Sequence, residues 1–342
     1  MATPLQPVEI AGGGLAGLSL GLALRRSGVP VTVFEAGGYP RHRVCGEFIT
    51  GLSVDTIERL GLGPILSGVE TYREVAWYLR DQPLRRQPLA SPALGISRYR
   101  LDQRLADAFT AAGGELRPHT RLPLDAAPPG RVFATGRRPA RPEWVGLKCH
   151  ALNLPLAAEL ELHLGEQAYV GLCAVEPGRV NVSGLFRLRG GLELSRELAL
   201  SAYLRAAGLG VLADRLARVA IDPASFSAVA GLGFSAPSRR TDRLEIGDTY
   251  AMIPPFTGHG MAMAFQSAEQ ALDPLLAWSR GDAAWDETLS TVRRRLRRLF
   301  RVRLAVAGAL HPVLVNPVGQ RGLATASHLG VLPFDSLYRL TH

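Results

Sequence analysis

Hydrophobic positions open the chain in a strand-length run, Val8-Glu9-Ile10-Ala11. After three glycines they resume as an apolar helical stretch from Leu15 that closes at Gly28, and a second run follows at Val31-Thr32-Val33-Phe34. Lengths and spacing predict strand, turn, helix and strand in that order. Alternation predicts further strands at 71–79, 84–90, 144–150, 158–164, 168–175 and 179–187, bounded by glycine, proline or polar residues. Helices are expected at 52–60, from Ser97 to the stop at Gly113-Gly114, and at 194–207, 209–218 and 258–277. One buried strand runs from Val132 into a turn at Gly136, and another runs from Arg243 into Gly247-Asp248. In 144–150, period-two alternation puts Trp144, Gly146, Lys148 and His150 on one face and Val145, Leu147 and Cys149 on the other.

This order of elements is that of an α/β protein in which two domains share the chain by alternation. Segments 1–70, 97–142 and 240–310 form a Rossmann-type nucleotide domain, segments 71–96 and 143–239 form a substrate domain on a mainly antiparallel sheet, and 311–342 is a C-terminal segment. The first turn carries specific chemistry. Gly12 permits its sharp bend, Gly14 with Ala16 at the helix start lets the backbone approach a pyrophosphate, and Gly17 lets the helix pack on the strand. The helix N-terminus offers unpaired N–H groups and a positive dipole end to phosphates. Glu35 ends the second strand, where it can accept hydrogen bonds from ribose hydroxyls. An acid there suits a 2′-hydroxyl and repels a 2′-phosphate, so FAD or NAD is expected.

With 342 residues, 47% of them hydrophobic, the chain is long enough for a large core. Cys45, Cys149 and Cys173 show neither CxxC nor metal-ligand spacing, so no disulfide framework and no metal are expected. Residues 1–7 lack a basic leader region, and the expected location is the cytoplasm. The net charge of +9 comes almost wholly from arginine, since Lys148 is the only lysine. No nucleic-acid module accompanies it, and no nucleic-acid partner is expected. The densest basic cluster, Arg293 to Arg303, carries apolar residues at helical spacing. Two readings stay open for residues 292–304: a solvated face, or peripheral contact with an anionic membrane on its inner face. The oligomeric state is left undefined.

Three more segments join the glycine turn: Arg43-Val44-Cys45-Gly46-Glu47, Arg98-Tyr99-Arg100-Leu101-Asp102, and Gly247-Asp248 followed by Pro254-Pro255-Phe256-Thr257-Gly258-His259-Gly260-Met261. In this order they resemble the FAD-dependent oxidoreductases of the geranylgeranyl reductase and aromatic hydroxylase superfamily, whose fold is p-hydroxybenzoate hydroxylase-like. The resemblance implies FAD held by Arg43, Cys45, Gly46, Arg98, Asp248, Pro255, Gly258, Gly260 and Met261, with NAD(P)H or a reduced electron carrier as external reductant. Asp248 suits the ribityl hydroxyls, and the helix near Gly258 aims its dipole at the flavin ring. Cys45 and His259 are candidates for proton delivery, and Lys148 and His150 are candidates to hold or deprotonate the substrate.

Ala134-Thr135-Gly136 stands where aromatic hydroxylases carry Ala-Asp-Gly, and the Trp-x-Trp-x-Ile-Pro signature of flavin-dependent halogenases is absent. The leading expectation is hydroxylation of a lipophilic aromatic or polyketide-type metabolite. Reduction of isoprenoid double bonds and a non-catalytic, membrane-associated flavin protein are the alternatives.

Overall fold

Short apolar runs and one all-apolar helix require a buried parallel sheet. The computed structural model, which describes residues 4–138, 140–141, 143–190, 196–234 and 236–329, contains one. In the first half are β1 (Val8–Ala11), α1 (Leu15–Arg26), β2 (Val31–Phe34), β3 (Phe48–Ile49), α2 (Val54–Leu60), β4 (Glu70–Leu79), β5 (Gln82–Gly95), α3 (Arg98–Ala111), β6 (Glu115–Arg117) and β7 (Arg131–Phe133). In the second are β8 (Trp144–Leu152), β9 (Leu160–Gly165), β10 (Ala168–Glu176), β11 (Arg179–Arg187), α4 (Arg196–Ala206), α5 (Gly210–Ala217), β12 (Ile221–Ala230), β13 (Leu244–Glu245), α6 (Gly260–Arg280), α7 (Trp285–Val315) and α8 (Pro317–His328).

The first sheet is parallel, in the order β13-β7-β1-β2-β6. Helix α1 is buried from Leu15 to Leu24 because α3 and α6 pack against it, which explains why its apolar residues ring the whole helix. The second sheet has the order β12-β8-β11-β10-β9-β4-β5-β3 and is antiparallel except where β4 meets β9. Val145, Leu147 and Cys149 of β8 pack beneath α4 and α5, while on the opposite face Gly146 meets Val44 and Leu232 and Lys148 and His150 meet Glu47. That is the face alternation read from the sequence.

Some elements differ from expectation. β12 was not foreseen because Pro223, Ser225 and Ser227 break the alternation, and its pairing with β8 shifts register between Asp222 and Ser227. β3, inside the 1–70 segment, pairs with β5 of the second sheet. α6 continues through Pro274 and stops at the left-handed Gly281. The basic helix and the apolar stretch after it are one helix, α7, passing through Pro312 and across the expected boundary at 310/311. Residues 194–195 of an expected helix, and 330–342 of the C-terminal segment, lie outside the described residues.

On α7 the apolar seam Val292, Leu296, Phe300 and Ala307 is buried in the core of the first unit, and most of its arginines stay outside. No single helix among the described residues is long and apolar enough to cross a membrane. Only α7 and α8 taken together meet that standard of length and apolar character, and they are bent by 100°. Phe300, 1% exposed, anchors the seam. Phe300→Ala is expected to cost about 3–5 kcal/mol of unfolding free energy, measurable by chemical denaturation; a loss near zero would show that the seam does not hold α7.

Candidate functional site

The sheets and helices enclose a cavity of about 1580 Å³ whose wall runs without interruption from the glycine turn to the second sheet. At the turn, Gly12 has φ +109°, and a Cβ there would lie 2.2 Å from the carbonyl oxygen of Ala134. A Cβ on Gly17 would lie 2.0 Å from the carbonyl oxygen of Gly12, so helix and strand touch there. Gly14 differs: it caps α1, and a Cβ on it would meet nothing within 4 Å. No acidic residue occupies the first turn of α1 and no side chain caps it, so its amides face open cavity. This cradle fits a pyrophosphate.

Glu35 lies at the end of β2 and is 5% exposed. Its carboxylate accepts from the backbone N–H of Gly13 at 2.9 Å and of Gly37 at 3.0 Å, and from Arg41 at 2.6 Å. The acid thus braces the turn while staying on the cavity wall. Further along the wall are Arg43, Cys45, Gly46, Arg98, Asp248, Pro255, Gly258, Gly260 and Met261, which four separate segments bring together. Gly258, φ +71°, makes the turn before α6, and a Cβ there would strike the ring of Phe48. Thr135 and Gly136 also line the wall, with the Gly136 N–H donating to the Thr249 hydroxyl at 2.9 Å.

The charges here are tightly arranged. Arg98 grips Asp102 with two bonds of 2.8 and 3.0 Å, and Arg43 Nε donates to the same carboxylate at 2.9 Å. Burial opposes the charge on Arg98, but Asp102 outweighs it and holds the guanidinium above its ordinary pKa. Asp248 has no hydrogen-bonding partner among the described residues, and burial pushes its carboxyl up to about 6. An orphaned carboxyl on the wall is a hydrogen-bonding group awaiting a hydroxyl. Burial raises the Cys45 thiol as well.

Lys148 and His150 do not reach the wall. Both are buried behind it on Glu47, a residue the sequence reading placed in the Cys-Gly-Glu loop without assigning it a role. Glu47 has left-handed backbone, φ +57°, which turns its side chain inward. Its Oε1 accepts from Lys148 Nζ at 3.0 Å and from the Arg98 backbone N–H at 2.9 Å, and its Oε2 lies 2.6 Å from His150 Nε2. Burial works against this charge, yet these partners hold the carboxyl below its ordinary value. His42 does line the cavity; its Nδ1 lies 3.2 Å from Lys148 Nζ, and burial and the lysine press its pKa down to about 4. Donor atoms of His42, Glu47 and His150 lie within 4.8 Å of one another, a spacing a metal could use, but the Lys148 ammonium is the cation bonded among them. His259 is fully buried in the turn before α6, between Gly258 and Gly260 of the wall but not on the wall itself.

The far wall is apolar. Trp77, Leu162, Tyr169, Leu185 and Phe256 come from the second sheet and the turn before α6, and Leu310 and Leu314 from the end of α7. None of these was foreseen as a site residue. Their only sequence signal is apolar character on a strand or helix face, which core residues share.

No protein-family model matches the chain. Over 122 residues it is 32% identical to the FAD-dependent monooxygenase pytG of Aspergillus terreus, a match covering 33% of this chain and 37% of that protein. The matched segment therefore spans little more than a third of the curated relative. Among solved structures, Pseudomonas aeruginosa PqsL in complex with 2-aminobenzoylacetate superposes with a TM-score of 0.74 at 18% identity, over 94% of this chain and 99% of that one. The flavin-dependent brominase Bmp2 superposes with a TM-score of 0.75 at 14% identity, over 99% and 93%. The chain has the fold of the flavin monooxygenases.

Glu47→Gln strips Lys148 and His150 of their counter-charge and is expected to destabilise the fold by about 3–5 kcal/mol. Because the folded carboxyl titrates below its ordinary 4.5, this stabilisation is present above that pH and is lost as pH falls through the folded value. His42, held at about 4 against an ordinary 6.5, takes no proton in the folded state over that interval while the unfolded chain does, so stability also falls from pH 6.5 toward 4. Urea titrations across pH check both: His42→Phe should flatten the upper interval, and an unchanged slope would remove His42 from the account.

Proposed function

We propose that this chain, built on the fold of the flavin monooxygenases, is an FAD-dependent monooxygenase that hydroxylates a lipophilic, electron-rich aromatic or polyketide-type ring. The observation that carries the reading is a single cavity joining an anion cradle at Gly14 and an orphaned carboxyl at Asp248 to an apolar wall of leucines and aromatic rings.

FAD, once bound and reduced, supplies the activated oxygen. The chain's own residues do the rest. Gly14 and the amides of α1 hold the pyrophosphate, while Glu35 and Asp248 hold the adenosine ribose and the ribityl chain. Arg98, locked by Asp102, keeps a fixed positive charge beside Cys45 and Asp248. The N-terminal amides of α6 at Gly260 and Met261 stabilise negative charge on the flavin ring. Trp77, Tyr169, Phe256 and Leu314 desolvate the ring to be hydroxylated and exclude water from the reacting end. The external reductant is NAD(P)H or a reduced electron carrier.

The position of Cys45 on the wall supports a second reading, reduction of isoprenoid double bonds, with its thiol as the proton donor.

Turnover of the flavin-loaded protein under ¹⁸O₂, with a reductant and a panel of alkylated phenols, separates the two. Incorporation of one labelled oxygen supports hydroxylation. Unlabelled product from geranylgeranyl diphosphate with two added hydrogens supports reduction, and a protein that cannot be loaded with FAD sinks both. Asp248→Ala is expected to weaken FAD binding about tenfold, the loss of one or two hydrogen bonds of about 1 kcal/mol each. Flavin fluorescence titration measures this, and unchanged affinity would move the ribityl chain elsewhere.

A further inference from the structure

A second concavity, of about 720 Å³, lies between α7 and the edge strand β13 and is separate from the large cavity. Seven arginines line it: Arg240 and Arg243 ahead of β13, and five from α7 between Arg293 and Arg301, all but Arg295. Two carboxylates face the same groove. Asp286 is one, and the other, Glu245, is engaged by Arg138 at 2.8 Å through both oxygens. Among the described residues no ion pair reaches Arg293, Arg294, Arg297, Arg298 or Arg301, whereas Arg295 on the other flank pairs with Asp273 at 3.5 Å.

The groove is built rather than splayed. The buried Val292, Leu296 and Phe300 seam fixes the rotation of α7, so Arg293, Arg297 and Arg301, at successive i,i+4 positions, rise as one stripe over the floor. Arg243 is clamped from the opposite side, its side chain 8% exposed, donating to the Leu124 carbonyl at 2.6 Å and lying over the Phe133 ring. The floor carries hydroxyls from Ser238, Tyr250 and Ser290. The Tyr250 phenol is raised by burial and lowered by the guanidiniums of Arg293 and Arg297.

Arg240 and Arg243 share Asp242, at 3.7 and 3.1 Å, but the five like charges that α7 brings to one hollow repel one another unless an anion joins them. Guanidinium forks with adjacent hydroxyls match phosphate oxygens, which accept several such bonds at once. We infer that this groove binds a small molecule bearing a di- or triphosphate group. A lipid surface fits less well. The exposed apolar residues of this stretch, Leu299 and Val302, lie with Arg295 on the flank away from the groove, so no apolar residue would enter a bilayer together with the arginine stripe.

Calorimetric titration of the flavin-loaded protein with sodium tripolyphosphate, at ionic strength held constant with chloride, tests this. Loading with FAD fills the Gly14 cradle, so the titration reads the groove alone. Saturable one-to-one binding is expected, at least tenfold weaker in Arg293→Gln/Arg297→Gln/Arg301→Gln and unchanged in Arg295→Gln. The three arginines of the triple variant are partly or fully exposed, and its flavin content and melting curve should match wild type. Absence of saturable binding, or equal affinity in the triple variant, overturns the assignment. Phosphatidylglycerol vesicles form the second arm: salt-sensitive sedimentation lost in the triple variant, without tripolyphosphate saturation, would give this face to a membrane and also overturn it.

Discussion

One buried anion holds the two halves of this molecule together. The Glu47 carboxylate sits where neither sheet ends, and it accepts from the first turn of α3 on one side and from Lys148 and His150 of β8 on the other. A charge removed from water is costly unless it is paired and hydrogen-bonded, and here three donors reach it. Its position obliges the loop before β3 to run between the nucleotide unit and the second sheet, and that loop carries Arg43, Cys45 and Gly46 to the cavity wall. The chain's single lysine stands here, its ammonium between the Glu47 carboxylate and the His42 imidazole.

The electrostatics of the cavity are graded along its length. Arginines and helix amides gather around the glycine turn, a carboxyl raised by burial sits at Asp248, and beyond it the wall has little charge. A ligand with an anionic end and an apolar partner would be held by this gradient without any single strong contact.

What was legible in the sequence is what is local. The β1–α1–β2 unit was readable because strand, turn and helix are written in consecutive residues, and the faces of β8 because its alternation is unbroken from Trp144 to His150. β12 escaped because Pro223 and its serines satisfy the backbone through a register shift, a solution with no periodic signature. Glu47 was visible only as part of a loop. Its partners lie 51, 101 and 103 residues away, and nothing in a one-dimensional pattern announces that a lysine and a histidine two positions apart share one distant acid. The cavity's apolar wall was hidden for the opposite reason, since leucines that face a ligand and leucines that face the core look the same.

Gly12, Gly14 and Gly17 divide two kinds of selection. Gly12 and Gly17 are sterically indispensable to the polypeptide itself, because a methyl group on either would collide with backbone in the empty protein. Gly14 faces open space and is not demanded by the fold. An alanine there would leave the apoprotein intact and be felt only when the cradle is filled. Drift at position 14 is therefore restrained by the ligand alone, and a descendant of this chain that abandoned its cofactor would be free to lose that glycine first while keeping the other two.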